Sequence, residues 1–487
     1  MTPQALTPQA DRRSTFLFLF GLVVLYAAIM AAKFALWRAN VLMNDWAFYN
    51  NSFWNTNFRD LWMLSHDRLI QFGYPSYLNE HFAPLLMLLA AVYDVLPQTQ
   101  GEAMLLLLHG GCVIVAALFI HATALHLLQD RRLAALIAFS YALSPGILWP
   151  TISIVYGFQP DCLLAPMAAC AGWALATRRD GVFYLALLLG LGVKENVPGY
   201  GAILGTCLAL FTSRRKLGLI TIAISLAVFV IASKGVPLIT GVENRNVGRV
   251  WTFVNDVLHL NPHFDYTLPE IAIGVGYSLA FLPALAVWPF LAMLGPDLLL
   301  IGQVPYAKLV TWHVMLPVTV LGVCATFGTL RIARPELMRR YWTAVLCVSL
   351  IAGPATIYLS YSRYIALASV VDRAAVAQAI ALIPKDAGVA VTSDLEQYFA
   401  RRAIVSSRPD VLNTAAHEFT YAAVNRNALT PARRDGPLAF VTRQDACLVA
   451  LAERVAQAGG AVMDAGGILV VKFSRMPPGC VMGGTER

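Results

Sequence analysis

Asp45 follows an apolar run that ends near Trp37, and with Asn44 it heads a polar stretch containing Tyr49-Asn50-Asn51 and Trp54-Asn55-Thr56. A carboxylate in that place can take a proton from a hydroxyl nucleophile just above a membrane. It can also cap a helix that begins at Trp46, and the two roles are compatible. Glu80 and His81 lie in Asn79-Glu80-His81-Phe82-Ala83-Pro84. Side by side they can share a divalent cation or orient a phosphate, although two ligands do not complete a metal site; capping plus an interfacial imidazole is the plainer alternative. Asp161 stands in Phe158-Gln159-Pro160-Asp161, and Lys194-Glu195-Asn196 interrupts two apolar runs. A lysine there suits an anionic phosphate, unless it only neutralises Glu195. Arg245, Arg249, Trp312-His313 and Arg363 add further polar groups, and each alone also reads as a snorkelling or interfacial residue. Cations gathered beside an acidic base are what a reaction with a phosphate leaving group requires.

The elements that must position these residues follow from composition. Of 487 residues, 58% are apolar and only 13% charged, against roughly 45–50% and about 25% in a soluble domain. Mean hydropathy is +0.62. These figures exclude a soluble globule over most of the length, a disordered chain and a secreted disulfide scaffold. They predict an α-helical polytopic membrane protein.

Spans are expected over 14–37, 102–128, 133–150, 162–177, 181–193, 197–212, 217–233, 271–288, 290–308, 314–330 and 341–359, about eleven in all. The first run is longer than the apolar part of a signal peptide and is taken as a retained span. His81 to Pro97 is too short to cross, so an interfacial helix is expected there.

The 36 Lys and Arg outnumber the 28 Asp and Glu, giving a formal charge of +8. Arg131 and Arg132, Arg178 and Arg179, Arg214 to Lys216, and Arg331, Arg334, Arg339 and Arg340 all follow spans that run inward if the N-terminus is cytoplasmic. The basic excess is therefore a topology signal rather than a nucleic-acid signal.

The same topology puts the loop 38–101, the loop 234–270 and everything after about Ser362 on the outer side. A transmembrane domain over 1–370 is thus expected to precede an extramembrane α/β domain over 371–487. In the latter a helix over Arg373 to Leu382 and strands over Gly388 to Thr392 and Ala403 to Ser406 are expected, followed by Pro437 to Thr442, a helix over Gln444 to Ala458, and Gly467 to Phe473. Six of the eight cysteines fall in apolar runs. Cys447 and Cys480 belong to the outer domain, where an oxidising compartment would allow a disulfide.

In this order the motifs resemble a bacterial family of multispanning membrane proteins that is similar to the GT-C glycosyltransferases, the superfamily of protein mannosyltransferases and lipid A aminoarabinose transferases. Asp45 with Trp54-Asn55-Thr56, Glu80 to Pro84, Phe158 to Asp161, Lys194 to Asn196, Trp312-His313 and Ala374 to Val405 carry the likeness. It departs at Gln159, where the pattern usually has His, at Asp161, where it has Glu and the carboxylate is kept, and at Ala47, where it has Gly.

The resemblance implies an inverting transferase that takes a sugar from a polyprenyl-phosphate carrier at the periplasmic face of the bacterial inner membrane. Asp45 would be the general base. Lys194, His313, Arg245 and Arg249, beside Glu195, would hold the departing phosphate. Asp161, Glu80 and His81 would orient a lipid, glycan or protein acceptor, or a divalent cation. Two alternatives remain at this point, a transporter or flippase for a lipid-linked or anionic solute and a non-catalytic envelope scaffold; the lack of an inverted repeat counts against the first.

Overall fold

The structure, a computed structural model, describes residues 8–41, 44–56, 63, 69, 73–152, 157–244, 281–294, 315–332, 334–365, 368–408, 418–429 and 439–474. It is a helical bundle carrying a small sheet domain. The helices are α1 (Pro8–Arg38), α2 (Asn44–Trp54), α3 (Pro84–Val95), α4 (Gln98–Leu128), α5 (Arg131–Ala142), α6 (Pro145–Ile152), α7 (Leu164–Thr177), α8 (Asp180–Leu191), α9 (Val197–Phe211), α10 (Arg215–Val230), α11 (Met315–Ile332) and α12 (Pro335–Ile365). Short 3-10 turns at Tyr77–Asn79 and Pro160–Leu163 carry part of the candidate site.

Among the described residues, five helices are long and apolar enough to cross a bilayer, or six if α5 and α6, bent by 46°, act as one span. Eleven are expected from the apolar runs. The runs at 162–177, 181–193 and 197–212 fold as helices of 14, 12 and 15 residues, shorter than the roughly 20 residues that cross an apolar layer of about 30 Å. Most of the expected spans at 271–288 and 290–308 lies outside the described residues. The helix expected at the interface is α3, 12 residues long.

Apolar helices packed in lipid gain little from burying more apolar surface, so close backbone approach holds them together. Helices α9 and α10 meet at Gly205 and Gly218, where a Cβ on Gly218 would lie 2.4 Å from the Gly205 carbonyl oxygen.

The two ends of the bundle are chemically distinct. At one end Arg339 Nε donates to Asp130 at 2.7 Å, and Arg214 pairs with Asp180, so the basic loops are tied to acidic partners from neighbouring connections. The 31 residues of α4 carry the chain about 46 Å away from Asp130. Its N-terminus lies at the opposite end, where Gly101 approaches Arg401 of the C-terminal domain.

That domain contains a helix at Arg373–Leu382 and strands β1 (Gly388–Val391), β2 (Val405–Ser406), β3 (Phe419–Asn425), β4 (Ala461–Ala465) and β5 (Ile468–Lys472), in the order β2-β1-β3-β5-β4. Strand β1 is parallel to β2 and β3, and β5 is antiparallel to β3 and β4. Strand alternation turns Val389 and Val391 toward the first helix and Ala390 toward a second helix, Ala439–Val455. Thr442 belongs to that helix, not to a separate element before it. Cys447 on it is disulfide-bonded, while Cys112, Cys162, Cys170, Cys207, Cys324 and Cys347 are free thiols. Cys480 lies outside the described residues.

The sheet domain is clamped to the start of the bundle. Asn51 of α2 donates to the carbonyls of Ala400 and Arg402 at 2.7 and 2.8 Å. Ser369 Oγ donates to Asn40 O at 3.3 Å, and Arg373 to Arg38 O at 2.9 Å.

Candidate active site

Helix α2 begins at Asn44, so Asp45 lies in its first turn, a position the helix dipole favours for a carboxylate. The Asp45 side chain lies outside the described residues. Its neighbours locate the turn. Trp46 is fully buried against Gly157, which has φ +57°, and a Cβ on Gly157 would lie 2.4 Å from Trp46 Cβ. Only glycine accepts both that backbone conformation and that contact. One turn further, Tyr49 stacks edge-on against Phe158 with ring centres 5.1 Å apart, and its hydroxyl meets that of Tyr77 at 2.8 Å. Thus α2 rests directly on the loop that leads to Asp161.

Asp161 is buried in the turn that begins at Pro160. Its two oxygens accept hydrogen bonds from Lys194 Nζ at 3.2 and 3.1 Å. Glu195, next in the chain, turns to His81 instead: Nδ1 of His81 lies 3.0 and 3.2 Å from its two oxygens. The Phe82 backbone N–H donates to the same carboxylate at 3.2 Å, and Leu85 N donates to Gly192 O at 2.9 Å. The segments 81–85 and 192–195 therefore run alongside one another. Burial pushes the Glu195 carboxyl up, but His81 and Lys194 outweigh burial and hold it below its ordinary 4.5.

Glu80 is buried beside this arrangement. Asn79, before it, donates to Thr240 Oγ1 at 2.7 Å and to Val242 O at 2.8 Å, and Asn244 donates to Leu78 O at 2.7 Å. The segment 78–79 is thereby fastened to the chain just before residue 245. Arg245, Arg249 and His313 lie outside the described residues, as does the side chain of Arg363. Among the described residues no three His, Cys, Asp or Glu side chains converge as metal ligands, and His81 is engaged by Glu195. Glu80 and His81 alone supply two ligands, fewer than a cation site needs.

The pattern of the "Predicted membrane protein (DUF2079)" family matches residues 44–433 of this chain. The chain belongs to this family. No curated protein sequence matches this DUF2079 member, but solved structures share its fold. One is ArnT from Cupriavidus metallidurans bound to undecaprenyl phosphate, with a TM-score of 0.50 at 13% identity over 96% of this chain and 99% of that one. Another is the Archaeoglobus fulgidus oligosaccharyltransferase in the apo form, with a TM-score of 0.50 at 12% identity over 88% of this chain and 71% of that one. The helical bundle with its small sheet domain is thus a fold this family member shares with those two transferases, while the eleven expected spans are not all seen as such among the described residues.

Within this DUF2079 member, four residues named from the sequence come together as two pairs, Asp161 with Lys194 and His81 with Glu195. The alternative in which Lys194 is spent on its neighbour Glu195 does not describe the hydrogen bonding. Two residues at the same end escape a sequence reading. Lys33 of α1 is fully buried; its Nζ donates to the Gly157 carbonyl at 2.7 Å and lies 2.9 Å from His109 Nδ1. The only signal for them is an ionisable residue inside an apolar run.

Proposed function

We propose that this protein is a membrane glycosyltransferase that moves a sugar from a polyprenyl-phosphate carrier to an envelope acceptor, with inversion, at the periplasmic face of the inner membrane. One observation supports this most strongly: Asp161, the partner of Lys194, lies on the loop against which the first turn after Asp45 packs, within a fold shared with GT-C transferases. The carrier class is taken from ArnT, whose structure holds undecaprenyl phosphate.

In this mechanism Asp45 removes the proton of an acceptor hydroxyl or amine. The freed electron pair forms the new bond at the anomeric carbon. The bond from that carbon to the phosphate oxygen breaks on the opposite side, and its electrons leave with the phosphate. Lys194 stabilises the growing negative charge there, together with His313, Arg245 and Arg249. Asp161 holds the Lys194 ammonium in place, and the Glu195–His81 pair holds the segment that carries Lys194. The acceptor, a lipid, glycan or protein, meets the outer end of the bundle beside α2.

Purified protein in lipid nanodiscs, supplied with polyprenyl-phosphate-linked sugars and a membrane extract as acceptor source, is expected to release polyprenyl phosphate. If no such carrier is consumed and no sugar is transferred, the assignment fails.

A further inference from the structure

An ammonium buried inside a membrane bundle is costly unless an anion or an aqueous path serves it. Lys33 is 0% exposed and lies five residues before the outer end of α1. Its two hydrogen-bond partners, the Gly157 carbonyl and His109 Nδ1, are neutral acceptors. The nearby carboxylate of Asp161 is taken by Lys194. Lys33 therefore brings to the site an amine that no carboxylate contacts among the described residues, and an anion beside it would favour its charged form.

Two of the side chains beside it carry donors without partners. Because His109 Nδ1 accepts from Lys33, the ring hydrogen lies on Nε2; the backbone of Gln159 interacts with this ring, yet Nε2 itself is buried without a hydrogen-bond partner. Trp46 Nε1 is buried in the same condition, on the ring that packs against Gly157. Such donors are costly when left unsatisfied. An amine beside two idle N–H groups fits an anionic oxygen.

We propose that Lys33, His109 and Trp46 form a buried anion subsite that receives a phosphate oxygen of the lipid carrier. The inference rests on the transferase reading for the source of that phosphate, while the anion chemistry stands on the residues alone. It puts part of the phosphate recognition on α1 and α2 rather than wholly on Lys194 and the outer arginines.

The test is binding to the full chain in nanodiscs, with undecaprenyl phosphate, undecaprenol and inorganic phosphate as probes. Lys33→Met is expected to weaken undecaprenyl phosphate roughly ten- to hundred-fold, the value of one charge-assisted hydrogen bond, and to leave undecaprenol unchanged. Trp46→Phe keeps a ring against Gly157 and removes only the N–H, so it should weaken the phosphate severalfold; it decides the matter if Lys33→Met does not fold. Both variants binding undecaprenyl phosphate as the parent does overturns the subsite. Lys33-dependent binding of inorganic phosphate without binding of the lipid keeps the subsite and removes the carrier. If the unmodified protein binds neither phosphate, both readings fall.

Discussion

Lys194 places its ammonium 3.2 and 3.1 Å from the two carboxylate oxygens of Asp161, across 33 residues of chain, and leaves its neighbour Glu195 to His81. The arrangement ties two helix-to-helix connections to each other and fixes the direction of one cation. The Lys194 and Asp161 side chains are 12% and 6% exposed, so removing one partner strands the other in a poorly solvated place.

A double-mutant cycle on this pair is therefore informative. Asp161→Asn and Lys194→Met should each destabilise the protein by about 3–5 kcal/mol, the usual cost of an uncompensated buried charge. The double variant should cost less than the sum. Thermal unfolding in one detergent checks this, and strict additivity would mean that the two groups are not coupled.

The Glu195–His81 contact has a signed pH dependence. The folded-state Glu195 carboxyl is held below its ordinary 4.5, so its stabilising contribution is complete above that value and is lost as pH falls through the lower folded-state value. The gap in melting temperature between the parent and Glu195→Gln should be steady from neutral pH down to about 5 and then narrow. A gap that is unchanged at pH 3 would show that the carboxylate charge contributes nothing.

Gly157→Ala tests the contact between α2 and the Asp161 loop. A Cβ there would sit 2.4 Å from Trp46 Cβ on a backbone at φ +57°. The conformation alone costs roughly 1–2 kcal/mol for a non-glycine residue, and the clash displaces Trp46. Transfer activity should fall more than Lys194→Met stability data would suggest, because Asp45 precedes the displaced residue. A variant with parent-like melting and turnover would show that this packing does not position the base.

Asn51→Ala tests the clamp between α2 and the sheet domain. Two carbonyls, of Ala400 and Arg402, lose their shared donor, which should cost about 1–3 kcal/mol. Hydrogen exchange over 369–402 should rise while exchange in α4 stays the same.

The amino-acid sequence carries some of this plainly and some of it not at all. Asp161, Lys194, Glu195 and His81 are readable because polar residues between apolar runs have few structural excuses, yet nothing in the local pattern says that Lys194 reaches Asp161 rather than Glu195. Lys33 and His109 are hidden because one polar residue barely lowers the hydropathy of a long apolar run. Apolar composition also does not make a span: the run at 181–193 folds as a helix of only 12 residues, short of the roughly 20 that cross a bilayer. In the C-terminal domain β1 is legible from its short valine-rich run, whereas β3, Phe419–Asn425, is buried almost throughout and shows no alternation. A central strand covered on both faces loses the period-two signal that would mark it.

The assignment of Asp45 as general base is tested most directly by Asp45→Asn in the carrier-release assay. Turnover should drop about 10²–10⁴-fold, the usual contribution of a positioned base, while the melting temperature and the affinity for undecaprenyl phosphate stay at the parent values. Parent-like turnover in Asp45→Asn would contradict it.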